Sequence, residues 1–123
     1  MEKTLNILII EDNPSDFVLI ERNLWQHGIN VQSVRVDTME QLEKALDEDG
    51  WDLIFSDYSM PNLDFHDSFS YIQARRSDLP VILVTALEQP SDKQRGMECG
   101  ANAYIVKSNF EQSNLIEAIN RLI

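Results

Sequence analysis

Four short apolar runs are each followed at once by a side chain capable of chemistry. Glu11-Asp12 follow Leu5 to Ile10, Ser56-Asp57 follow Leu53-Ile54-Phe55, Thr85-Ala86 follow Val81 to Val84, and Lys107 follows Ala103 to Val106. If these runs are strands of one parallel sheet, three carboxylates, a hydroxyl and an ammonium converge at the carboxyl ends of the strands, where open α/β sheets bind ligands. Three acids in one small pocket repel one another unless a cation sits among them. Hard oxygen donors around an open site suit Mg²⁺, which keeps several waters and shares itself with a phosphate. Those parts support phosphoryl transfer to a carboxylate, with Asp57 as nucleophile and Thr85 and Lys107 available for the phosphoryl oxygens.

The elements that must position these groups are legible in the hydropathy pattern. Continuous apolar runs rich in β-branched residues indicate strands buried on both faces of a parallel sheet. A fifth run, Val31 to Val36, is broken by Gln32, Ser33 and Arg35, as an edge strand with a wetter face would be. Helical spacing fills the intervals. Ser15 to His27 follows Pro14 and stops at Gly28, and Thr38 to Asp49 opens with Thr38 and Gln41 in capping-box spacing and ends at Gly50. Asp64 to Arg76 starts with an acid at its cap and ends with Arg75-Arg76 on the favourable end of the helix dipole. Pro90 to Cys99 contains Gly96 and has the poorest helix propensity of the set, and Ser113 to Ile123 closes the chain. Five strands alternating with five helices predict one three-layer α/β domain over residues 1–123.

Composition narrows the function. Ten Lys plus Arg against 21 Asp plus Glu give a net charge of −11, a field that repels phosphate backbones and anionic lipids. Nucleic acid and membrane surfaces are therefore not expected partners. No apolar run approaches the roughly 18 residues of a membrane span, and Glu11-Asp12 arrive too soon after Met1 for a signal peptide, so a cytoplasmic location is expected. The single cysteine, Cys99, excludes an intramolecular disulfide and is expected to be a small buried hydrophobe. Trp25 and Trp51, beside a helix end and a strand start, are expected to cap the core, and His27 and His66 to be solvated.

Taken with Met60-Pro61, Gly100-Ala101 and Tyr104 to Lys107, the ordered set Glu11-Asp12, Asp57 and Thr85-Ala86 resembles the receiver domain of two-component response regulators, those of chemotaxis regulators included. The resemblance implies a flavodoxin-like sandwich with strand order 2-1-3-4-5. It implies that Asp57 takes a phosphoryl group from a phosphohistidine on a histidine kinase or histidine phosphotransfer protein. Asp12, Asp57 and the main-chain carbonyl of Ser59 would bind Mg²⁺, with Glu11 acting through a metal-bound water. Lys107 would pair with Asp57 or its phosphate, Thr85 would turn to a phosphoryl oxygen, and Tyr104 would change its burial as the switch that carries the signal to a downstream effector. The chain would not be an enzyme beyond assisting its own phosphorylation and slow dephosphorylation, and any phosphorylation-dependent homodimer would use the fourth helix, fifth strand and fifth helix.

Two positions depart from the family pattern. Phe65 follows Asp64 where the family usually has Gly, so the loop after the third strand must take another path, and Ser108 follows Lys107 where the family usually has Pro. Other chemistries fit less well. A flavin-binding electron carrier needs a neutral loop after the first strand to cradle a phosphate, and Glu11-Asp12 would repel one. A phosphohydrolase for free substrates needs a further acid or base and a cap, which Asp57-Tyr58-Ser59 does not supply. A receiver-like docking module that is never phosphorylated remains the alternative to a phosphoacceptor.

Overall fold

The computed structural model of the chain describes residues 4–57, 60–85, 94–95, 97–106 and 114–122. Its strands are β1 (Leu5–Ile10), β2 (Val31–Val36), β3 (Leu53–Ser56), β4 (Val81–Thr85) and β5 (Ala103–Val106). The helices delimited among the described residues are α1 (Pro14–Gln26), α2 (Met39–Leu46), α3 (Phe65–Arg75) and α4 (Asn114–Leu122). The strands form one fully parallel sheet in the order β2-β1-β3-β4-β5. This is the flavodoxin-like arrangement expected, with four delimited helices in place of five. Half of the weak Pro90 to Cys99 segment, residues 90–93 and 96, lies outside the described residues, while Gln94, Arg95, Met97 and Glu98 have helical backbone.

Strands β1, β3 and β4 alternate their side chains between two cores, which is why their runs read as almost continuously apolar. Ile7 and Ile9 of β1, Phe55 of β3 and Ile82 of β4 pack with Ile20 and Leu24 of α1 and Ile119 of α4. Their neighbours Leu8, Ile10, Ile54 and Leu83 pack on the other face with Leu42 of α2 and Phe65, Phe69 and Ile72 of α3. The edge strand β2 is wetter, as its sequence predicts, with Val34 47% exposed.

Local chemistry starts α2 and α3 at the caps that the sequence places, and adds a cap for α1. Asn13 accepts the Ser15 N–H ahead of Pro14, so α1 begins one residue earlier than its spacing suggests. Thr38 accepts the Gln41 N–H at 3.2 Å, and the Gln41 side chain reaches back to the N–H of Asp37, one residue beyond the expected capping box. Asp64 accepts the Asp67 N–H, and Phe65, where the family usually has Gly, is the first residue of α3, buried and stacked on Phe69. The departure at Phe65 therefore adds core contact to the start of α3.

Two expectations about single side chains are corrected. Trp51 is buried and donates its indole N–H to the Ala45 carbonyl, but Trp25 is 53% exposed, because the buried stripe of α1 runs through Ile20, Asn23 and Leu24 and leaves position 25 on the outer face. Cys99 is only half-buried, with its Sγ 3.0 Å from His66 Nδ1. Its thiol is pushed above the usual range by desolvation and by the nearby carboxylates of Glu98 and Asp64.

Candidate functional site

The acid cluster is assembled by backbone pairing at the carboxyl end of the sheet. Strands β1 and β3 are in register through Ile10 and Ser56, and the next residue along β3, Asp57, donates its N–H to the Ile10 carbonyl at 2.9 Å. On the other side of β1, Glu11 donates its N–H to the Val36 carbonyl at 3.0 Å. The chain leaves β1 toward β2 through α1, whereas β3 lies on the opposite side of β1, so the crevice between β1 and β3 is where the winding of the sheet reverses.

Glu11, Asp12 and Asp57 meet there, each offering a carboxylate oxygen such that these atoms all lie within 4.8 Å of one another. Glu11 is 1% and Asp57 9% exposed, and Asp12 is half-buried, so Asp12 is the most accessible of the three. Glu11 is further fixed through its Oε1, which accepts the Asn13 N–H at 3.2 Å. Asn13 thus ties the acid cluster to the start of α1.

These donors fit a magnesium ion. All are hard carboxylate oxygens, they come from two strand ends that the sheet holds in place, and like charges packed this closely are relieved by a cation.

Thr85 is the last residue of β4, paired in register with Val106, which directly precedes Lys107. Tyr104 is opposite Leu83 on β5, half-buried against the α2–α3 core. Lys107, Ser59 and the Lys107-Ser108 peptide lie outside the described residues.

One residue that the sequence marks only as a polar break in the edge strand also reaches this rim. Arg35, on β2, donates from Nη1 to the Glu11 carbonyl at 3.2 Å and lies 3.4 Å from Asp37 Oδ2. An arginine just before the end of an edge strand was the only available sign, and it acquires meaning only from the β1–β2 register.

Comparison with known proteins agrees with this geometry. The response regulator receiver domain matches residues 7–120. A gliding motility regulatory protein of Myxococcus xanthus is 32% identical over 98% of this chain, which spans 15% of that protein's length. The signal receiver domain of a signal transduction histidine kinase from Syntrophus aciditrophicus is 31% identical with a TM-score of 0.76, the match covering 95% of this chain and 88% of that one. The receiver domain of a sensor histidine kinase from Pseudomonas aeruginosa, with a magnesium ion coordinated in its active site cleft, is 26% identical over 98% of both chains with a TM-score of 0.80. With its sheet order, its acid cluster between β1 and β3 and a domain match over nearly its whole length, the chain belongs to the response regulator receiver domains of two-component signalling.

Proposed function

We propose that residues 1–123 form one phosphoacceptor domain in which Asp57 receives the phosphoryl group. The observation that carries this reading is the convergence of Glu11, Asp12 and Asp57 around one point, with Asp57 at the end of the central strand. In the transfer, an Asp57 carboxylate oxygen forms a bond to phosphorus as the P–N bond of a phosphohistidine breaks. The electron pair of that bond leaves on the imidazole nitrogen of a histidine kinase or histidine phosphotransfer protein. Asp12, Asp57 and the Ser59 carbonyl would hold Mg²⁺, with Glu11 acting through water. The ion supplies neutralisation of the charge on the carboxylate and on the phosphoryl oxygens. The magnesium ion in the Pseudomonas aeruginosa receiver supports this assignment.

Thr85 and Lys107 would take the remaining phosphoryl oxygens, which makes them the residues that sense phosphorylation. Tyr104, half-buried beside Leu83, is the aromatic that changes burial when Thr85 moves, and the face around it passes the signal to an effector protein or domain or to a second copy of the chain. The domain assists its own phosphorylation and slow hydrolysis and turns over no free substrate. We place it in the cytoplasm, where histidine kinases hold their phosphohistidine; no described helix is long and apolar enough to cross a membrane.

Intact-mass spectrometry after incubation with acetyl phosphate tests the reading. One phosphoryl adduct that requires both Mg²⁺ and Asp57 is the expected result. An adduct that persists in Asp57→Asn moves the acceptor elsewhere, and no adduct on folded, Mg²⁺-bound protein favours a docking module that is never phosphorylated.

A further inference from the structure

The acid cluster is braced from outside by a cation that belongs to neither the acids nor the strand ends facing them. The carboxyl end of a parallel strand presents carbonyls with no partner in the sheet, and a carboxylate cannot satisfy them. At the end of β1 that partner is Arg35. Its Nη1 donates to the Glu11 carbonyl at 3.2 Å, and Asp37 Oδ2 lies 3.4 Å from the same nitrogen. Glu11 is thereby held at its N–H by Val36, at its Oε1 by Asn13 and at its carbonyl by Arg35. The Arg35 side chain is 33% exposed, so its head is partly drawn out of water against the turn. One terminal nitrogen thus serves both the Glu11 carbonyl and the Asp37 carboxylate.

From this geometry we infer that Arg35 is a positioning residue for the acid site. By holding the Glu11 carbonyl it fixes the peptide between Glu11 and Asp12, and so the directions in which both carboxylates face Asp57. Partners bonded directly to metal-ligating side chains alter metal affinity by about 10–100-fold when removed, and a bond to the main chain between two such residues belongs at the low end of that range. The charge of Arg35 acts in the opposite sense, since a cation beside the site disfavours a second one. The hydrogen bond outweighs it, because Asp37 already offsets the guanidinium charge.

The inference rests on the reading of the cluster as a Mg²⁺ site, and one experiment separates the two. Mg²⁺ binding is measured by isothermal titration calorimetry on wild type, Arg35→Gln and Arg35→Lys, with thermal unfolding of each in the absence of metal. We expect Arg35→Gln to bind Mg²⁺ about tenfold more weakly while its metal-free melting temperature stays close to that of wild type. Arg35→Lys, which keeps the charge and a donor on a shorter head, recovers part of the affinity. Unchanged or tighter binding in Arg35→Gln overturns the positioning role, as does a loss of metal-free stability in both variants with affinity intact. A wild type that binds no Mg²⁺ overturns the metal-site reading itself.

Discussion

The two ends of the sheet use the same residue types for opposite purposes. At the amino ends of the strands, Asp52 accepts the Asn6 N–H at 2.9 Å through Oδ2 while its own N–H donates to the Asn6 carbonyl at 2.8 Å. Asn102 does the same for Val81, at 2.9 Å and 2.8 Å. At the carboxyl ends, Glu11, Asp12 and Asp57 face one another. The difference follows from strand polarity. A parallel strand begins with N–H groups that lack a partner, which acidic and amide side chains can satisfy, and ends with carbonyls, which repel carboxylates. An acid at the start of a strand therefore completes the sheet, whereas acids gathered at the end call for a cation.

Substitution of matched acids at the two ends tests this contrast most strongly. Asp57→Asn is expected to abolish the Mg²⁺-dependent phosphoryl adduct seen by mass spectrometry, whereas Asp52→Asn keeps it; equal loss in both variants would erase the distinction between the ends. The next largest effect is on metal affinity. Asp12→Ala should weaken Mg²⁺ binding by at least about tenfold and remove the rise in melting temperature expected of wild type on adding Mg²⁺, with both read by calorimetry and thermal unfolding.

Stability without metal should change in opposite directions at the two ends. Asp52→Ala leaves the part-buried Asn6 N–H without its acceptor and is expected to destabilise the fold by about 1–3 kcal/mol in urea unfolding. Asp12→Asn relieves like-charge crowding and should stabilise the metal-free protein by up to about 1 kcal/mol. A destabilising Asp12→Asn would show that the cluster is held together by its own hydrogen bonds and does not need a cation.

The smallest effect concerns acid. The Asp78 carboxyl, just before β4, is held below its ordinary value of 3.8 chiefly by the hydrogen bond from Arg76. A depressed carboxylate contributes stability above its unfolded value that is lost as the pH falls through its folded one. Because Asp78 is exposed, Asp78→Asn should move the acid-unfolding midpoint only slightly upward in pH. A large shift would mean that this surface pair bears more of the amino-end architecture than its exposure implies.

Much of this architecture is legible in the amino-acid sequence. Double-sided burial writes itself as continuous apolar runs, so β1, β3, β4 and β5 were plain, and the polar interruptions of β2 marked it as the edge. The acids were legible because a parallel sheet sends every strand end to the same rim. Trp25 and Trp51 were not separable, since both stand beside an element end and only the orientation of α1 exposes one of them. Nor was the contact between Cys99 and His66, which are 33 residues apart and meet only when the segment before β5 packs on α3.

The sequence by itself determined the strands, the helix caps and the order of the reactive side chains along the chain, because periodicity and capping are local properties. Only the tertiary structure decided that Asp57 lies against Glu11 and Asp12, and that Arg35 braces their turn. Both depend on which strands are neighbours and in what register. That is settled by the burial of two cores at once, a property of the whole sheet that no single segment encodes.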